Sequence, residues 1–200
     1  MEHEMTQRIT FSRDVIVDTA VELTRENGWA SVTARSIASR LGSSTMPIYS
    51  AMSSMQELED EVRTRAEEKL LEYQRRPFTA DLALSKAVGY VVFASDEKNL
   101  FRFLYIDRPT IGRPVSEMDA QSRADRTFEA LTATDALPAL AEQAMVALGD
   151  SRVLKSWIFT HGLAMLIGNG VIELTDKRIA ELLAEAGTSL VGGANTRQST

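Results

Sequence analysis

The chain contains no cysteine, so disulfides, thiolate metal ligands and a cysteine nucleophile are all excluded. Its 200 residues must hold together through an ordinary packed core, for which 44% apolar content suffices. Long hydrophobic runs are missing too. The most apolar stretch, WIFTHGLAMLIGNGVI at residues 157–172, is broken by Thr160, His161 and Asn169 and is too short to cross a bilayer. It reads as a buried helix, and no membrane partner is expected. The opening MEHEMTQRITFSRD is acidic without an apolar centre, which fits neither a signal nor a transit peptide and leads to an expected cytoplasmic location. Structure breakers are scarce as well. With only five prolines and eleven glycines, and few stretches that alternate as strands do, the chain reads as all-α.

Positive charge is also in short supply. The net charge of -6 argues against a protein that coats nucleic acid by charge alone. The first 55 residues carry Arg8, Arg13, Arg25, Arg35 and Arg40, which nearly balance the acids there. That part is therefore the less acidic one, compatible with phosphate contact. No glycine-rich phosphate loop, nucleophile elbow or Ser-His-Asp arrangement is present, so no catalytic residue and no cofactor are expected. A metal site is not expected either. The two histidines, His3 and His161, lie far apart in sequence, and no carboxylate falls at ligand spacing from His161 on its helix.

Breakers and apolar spacing divide the chain. Ser12 is placed to cap a first helix that buries Ile16, Ala20 and Leu23 and stops at Asn27-Gly28. A second begins near Thr33, buries Ile37, Ala38 and Leu41, and ends at Gly42. A very short third starts within residues 44–46, with Pro47 in its first turn, where a missing amide hydrogen costs little. Residues 56–76 hold 12 charged side chains in 21 positions and predict a long, largely solvated connecting helix. Pro77 ends it. Thr79 is read as the start of a helix carrying Leu82, Leu84, Val88, Val91 and Val92, followed by the aromatic-rich NLFRFLYI at 99–106. The stretch TIGRP at 110–114 reads as a loop, and further helices are predicted over 116–133, 138–148, 151–169 and 175–190. Residues 1–10 read as a flexible tail and 193–200 as a disordered one.

The informative segment is GWASVTARSIASRLGSSTMPIYSAM at 28–52. Two short helices joined by a tight turn pack crosswise only where small side chains let the backbones approach, and Ala38 and Gly42 supply them. Gly42 suits the left-handed end of the second helix, and the hydroxyls of Ser43, Ser44 and Thr45 suit the start of the third. With Ile48 and Met52 turned inward, Met46, Pro47 and Ser50 face outward and Tyr49 lies on the flank. Such a helix suits a major groove. Ser44 or Thr45 can reach phosphate or base edges, the Tyr49 phenol can donate to a phosphate, and Arg35 can make a forked contact to guanine. Thr33, which opens the second helix, belongs to the same candidate DNA-binding set. Taken alone, Tyr49 and Arg35 each read as plain surface; together in a compact two-helix turn they read as functional.

The order of an amphipathic first helix, Gly28, Val32-Thr33, Ile37-Ala38, Leu41-Gly42, Ile48-Tyr49 and Glu57-Leu58 resembles the tetracycline-repressor (TetR) family over residues 11–60. The resemblance implies a DNA-binding domain of three helices with a helix-turn-helix (11–54) and a helical-bundle domain for ligand binding and dimerisation (55–192). It implies a homodimer on a palindromic operator, repressing until a small-molecule effector enters the second domain. By position it assigns Arg35, Thr45, Met46, Pro47, Tyr49 and Ser50 to the DNA face. The chain departs from the family where Met52 replaces a frequent aromatic residue and Met55 a frequent phosphate-binding lysine. With no Arg, Lys, Asn or Gln on the third helix either, a shallow salt dependence and contact with thymine methyl groups are expected. A shift in the spacing of two recognition helices, about 34 Å apart on DNA, would be transmitted through residues 56–76.

In the body, Phe93, Phe101, Phe103, Tyr105, Met118, Phe128, Trp157, His161 and Met165 form either the lining of an apolar effector pocket or simply a core. Gly162, Ala164, Gly168, Leu182 and Leu183 on the last two helices are candidates for a dimer interface, with the two glycines alternatively serving internal packing. Two other functions stay open: a helical interaction protein of the same fold without DNA binding, and an enzyme.

Overall fold

The computed structural model describes residues 11–107 and 151–192. Met118, Phe128, both tails, the loop expected at 110–114 and the helices expected over 116–133 and 138–148 lie outside the described residues. Those described are all-helical, with eight α-helices and no strand: α1 (Arg13–Asn27), α2 (Ala34–Arg40), α3 (Met46–Ala51), α4 (Met55–Gln74), α5 (Leu82–Asp96), α6 (Lys98–Arg102), α7 (Ser151–Gly168) and α8 (Asp176–Gly192). A 3-10 turn, Trp29–Ser31, precedes α2, and a π-helical turn, Phe103–Asp107, continues α6. No described helix is long and apolar enough to cross a membrane.

Local chemistry sets the boundaries of α1. The Ser12 hydroxyl accepts from the Val15 amide at 3.4 Å, and Gly28, at φ 78°, closes the helix by donating its N–H to the Thr24 carbonyl. Between them Ile16, Val17, Ala20 and Leu23 are buried, and the fully buried Thr24 hydroxyl is satisfied by the Ala20 carbonyl at 2.8 Å. Helix α1 lies against α4 and α6.

Two expectations need correction. Helix α4 is not largely solvated. Leu58, Val62, Ala66 and Leu70, spaced four apart, are buried with Tyr73 as one stripe, and α4 packs on α1 and on α5. The high charge of this segment fills the other faces and hides the stripe, which a helix of period 3.6 requires to be only a few residues per two turns. Helix α5 starts at Leu82 rather than Thr79. The Asp81 carboxylate takes the capping role, accepting from the Leu84 amide at 3.0 Å, while Thr79 is engaged by Ser85. From Val88 to Ala94 every residue of α5 is buried, because α4, α6, α7 and α8 surround it.

An ion-pair network joins α1 to the start of α4. Arg13 bonds Glu57 and Glu61, and Glu57 also accepts from the amide and hydroxyl of Ser53. The Ser53 hydroxyl and the Arg13 guanidinium hold the Glu57 carboxyl down at about 2, from an ordinary 4.5. Because the folded-state value is the lower one, the unfolded chain takes up the proton first. The stabilisation is complete above about pH 4.5 and is lost as pH falls toward 2. Melting followed by circular dichroism across this window is therefore expected to lose less stability on acidification in Glu57→Gln than in the parent. Equal slopes would show that these bonds do not persist in solution.

Candidate functional site

The segment 28–52 forms two short helices and a tight turn, built by its own backbone. The Thr33 hydroxyl accepts from the Ser36 amide at 3.0 Å while the Ser36 hydroxyl accepts from the Thr33 amide at 2.9 Å, a reciprocal cap that fixes the first turn of α2. At the other end Gly42, at φ 62°, allows paired closing bonds, Gly42 N–H to the Ser39 carbonyl and Ser43 N–H to the Ala38 carbonyl. Pro47 sits in the first turn of α3, as expected. The expected hydroxyl cap on α3 is absent: no side chain caps it, since Thr45 itself has helical backbone angles and cannot aim its hydroxyl back at the next amides.

Ile48 and Met52 are buried and anchor α3, leaving Met46 at 62% and Tyr49 at 65% exposure. Ser44 and Ser50 are exposed, and Thr45 and Pro47 half-buried. The described cations of the first two helices are distinguished by their partners. Arg13 pairs with Glu57 and Glu61, Arg25 with Glu22 and Glu97, and Arg40 with Glu26. Arg35 is exposed and has no acidic partner among the described residues.

Beside this unit lies a groove of about 440 Å³, open to solvent and lined by Trp29, Val32, Thr33 and Ala34 on the side of α2. Tyr49, Met55, Gln56 and Glu59 close the opposite side. Thr33 and Tyr49, from different helices, thus face one space. The groove was not legible in sequence, because it joins residues more than twenty positions apart and its carboxylate, Glu59, reads as one acid among many on a charged helix.

In the body, the expected aromatic set divides. Phe93, Phe101 and Phe103 are fully buried: Phe93 meets Tyr73 edge-on with centroids 5.6 Å apart, and Phe103 meets Trp29 at 5.1 Å. Tyr105, Trp157, His161 and Met165 are half-buried. Tyr90, which sequence reasoning passed over, is the centre of the polar part. Its hydroxyl lies 2.8 Å from His161 Nδ1, and its ring meets Phe101 and Tyr105 edge-on. Trp157 stacks on His161, with centroids 5.0 Å apart and planes within 3°. Burial lowers the His161 pKa and raises those of Tyr90 and Tyr105, so all three are neutral near pH 7 and the cluster carries no net charge.

The residues named for a subunit interface also divide. Ala164 and Leu183 are buried within the chain, and a Cβ on Gly168 would lie 3.2 Å from the Ala94 carbonyl, so these three serve the packing of the protein on itself. Gly162 is exposed with open space around it, and Leu182 is half-buried. The reading of 157–172 as a buried helix is corrected accordingly. One face of α7 is turned outward, with Ile158 at 55%, Phe159 at 40% and Leu166 at 44% exposure. Among the described residues no group of His, Asp or Glu is arranged to hold a metal ion. No protein-family model matches this chain, and no curated protein matches it.

Proposed function

We propose that the protein is a sequence-specific DNA-binding transcriptional regulator of the tetracycline-repressor kind, a homodimeric repressor that leaves a palindromic operator when a small hydrophobic effector binds the helical body. The observation that carries this reading is the surface of the α2–α3 unit. It presents Met46, Tyr49 and Ser50 outward on α3, and α2 carries the one described arginine before residue 55 that is not held by an acid. A guanidinium without an internal partner is free to fork onto guanine, and exposed methionine suits thymine methyl groups. The outward apolar face of α7, around Ile158, Gly162 and Leu166, supports the dimer, since a second copy would remove it from water. The neutral cluster of Tyr90, Tyr105, Trp157 and His161 supports an uncharged, ring-containing effector.

Selection of bound fragments from random DNA, followed by footprinting, tests the reading. Arg35→Ala is expected to weaken binding by about 1 to 3 kcal/mol and to relax the preference at one position per half-site. Uniform weakening across all sequences would reduce Arg35 to a phosphate contact, and failure to protect any palindromic site at low salt would overturn the DNA-binding function. A second reading, a helical interaction protein without DNA binding, is favoured by one feature: the exposed side chains of α3 are uncharged. The same footprinting decides between them.

A further inference from the structure

We propose that His161 is the hydrogen-bond donor of a ligand site in the helical body, its proton held on Nε2 by Tyr90, and that the ligand is an uncharged aromatic carbonyl compound. The Tyr90 hydroxyl, on a residue only 4% exposed, lies 2.8 Å from His161 Nδ1. Two directions of donation are open to this pair. Either Tyr90 donates to Nδ1, or Nδ1–H donates to Tyr90, which then passes its own proton to the neighbouring Tyr105 hydroxyl. The first is favoured chemically. A phenol, with a pKa of about 10, is a good donor, and an imidazole nitrogen, which binds a proton with a pKa of about 6.5, is a far better acceptor than a second phenol. Burial lowers the His161 pKa and keeps the ring neutral near pH 7, so its one remaining proton is on Nε2.

Nε2 has no hydrogen-bond partner among the described residues, and His161 as a whole is half-buried. A donor left unpaired in such a setting favours any ligand that brings an acceptor to it. The ring cannot readily turn its donor away. Trp157 is stacked on it, Tyr105 meets it edge-on at 5.7 Å, and Phe101 lies 6.0 Å from it. Tyr105 is delivered by the π-helical turn Phe103–Asp107, a rare geometry that recurs at functional sites. Trp157, Tyr105 and Met165 are half-buried and offer apolar surface to the body of a ligand. The side chains around the imidazole, Tyr90, Phe101, Tyr105 and Trp157, are all uncharged. A carboxylate brought there would lose its water with no cation to meet it, whereas a ketone or ester oxygen would lose little. That this ligand is the effector rests on the function proposed above, whereas the donor site does not.

The chain has two histidines, so long-range proton–nitrogen spectra of the isotope-labelled full chain hold two sets of ring signals, which His161→Phe assigns. Near pH 7 His161 is expected to carry its proton on Nε2, and Tyr90→Phe to lose that bias. Acetophenone is expected to shift the Nε2 signal saturably. Isopropenylbenzene, which has the same shape with a methylene group in place of the carbonyl oxygen, is expected to bind about tenfold more weakly, the usual consequence of losing one hydrogen bond. Benzoate is expected to bind more weakly than acetophenone as well, and His161→Phe to bind acetophenone and isopropenylbenzene alike, with affinities read from the ligands' own proton signals. A proton on Nδ1, no saturation by acetophenone, or equal affinity of the parent chain for acetophenone and either analogue would each overturn the site. All three are measured on the parent and remain decisive if a variant does not fold. A further titration measures release of a selected DNA fragment by acetophenone. Saturable binding without release would overturn the effector role alone, and a chain that binds no DNA at all would overturn the proposed function while the spectra still judge the donor site.

Discussion

Gly89→Ala is expected to lower the stability of the protein by about 2 to 3 kcal/mol in urea unfolding, although alanine is by about 1 kcal/mol the better helix residue. Gly89 lies in the buried stretch of α5 where that helix crosses the last turn of α4. A Cβ there would stand 2.4 Å from the Tyr73 carbonyl oxygen, 2.7 Å from its carbon and 2.8 Å from the Gln74 Cα. All three are backbone atoms, so no rotamer change can relieve the contact. The two helices must separate, which loosens the edge-on packing of Tyr73 on Phe93 at the centre of the core. Gly187→Ala in α8 is the matched control. It too lies inside a helix, but its added Cβ meets nothing within 4 Å, so only the propensity gain of about 0.5 to 1 kcal/mol remains and the sign reverses. A Gly89→Ala protein as stable as its parent would mean that α4 and α5 do not meet as closely as the structure has them.

Features decided by neighbouring residues were legible in the sequence. Ser12, Gly28, Gly42 and Pro47 act where they stand, because capping, positive φ and the missing amide hydrogen are properties of one or two residues. Where two nearby residues compete for one role, sequence could not choose. Thr79 and Asp81 both carry a capping oxygen, and the choice fell to Asp81 because Ser85 engages Thr79 from within the helix. The Leu58–Val62–Ala66–Leu70 stripe was present in the spacing but outweighed by the charge around it.

Long-range geometry was not legible. Apolar content marks α7 as a helix with something to bury, yet only the packing against α5 decides that Ala164 and Gly168 point inward while Ile158, Gly162 and Leu166 point out. The hydrogen bond between Tyr90 and His161 joins residues 71 positions apart. The groove likewise depends on the start of α4 folding back beside Trp29, a consequence of the ion pairs between α1 and α4 and of the buried α4 stripe. What the sequence offered about the candidate DNA face was inward Ile48 and Met52 with Met46, Pro47 and Ser50 outward and Tyr49 on the flank; Met46 and Ser50 are exposed, whereas Pro47 is half-buried against the unit and Tyr49 stands as far out as Met46.

Arg25→Met is expected to cost about 2 kcal/mol, and much of that loss should return when Glu97→Gln is added. Arg25 donates Nε to Glu97 Oε2 and Nη2 to Glu97 Oε1, both at 2.8 Å, and the Asn99 amide donates to the Arg25 carbonyl at the same distance. The end of α1 is thereby fastened to the junction of α5 and α6. Glu97 is only 6% exposed, so removing its cation strands a charge where water reaches it poorly. Losses of 3 to 5 kcal/mol belong to pairs buried on both sides, roughly, and are discounted here because Arg25 is itself 39% exposed. Methionine keeps the apolar length of the arginine stem, so the cycle isolates charge from packing. If Arg25→Met and the double variant were equally destabilised, the loss would be one of packing, and if neither lost stability, Glu97 would be hydrated without its partner. The same fork bears on the proposed regulator. The helix that leads into the α2–α3 unit is tied there to the segment from which Phe101 and Tyr105 reach the Tyr90–His161 pair, so Glu97 is one of the contacts through which a rearrangement of that cluster on effector binding would reach α1. Arg25→Met is therefore expected to separate the two halves of the function, leaving operator contacts in place while blunting their release by effector.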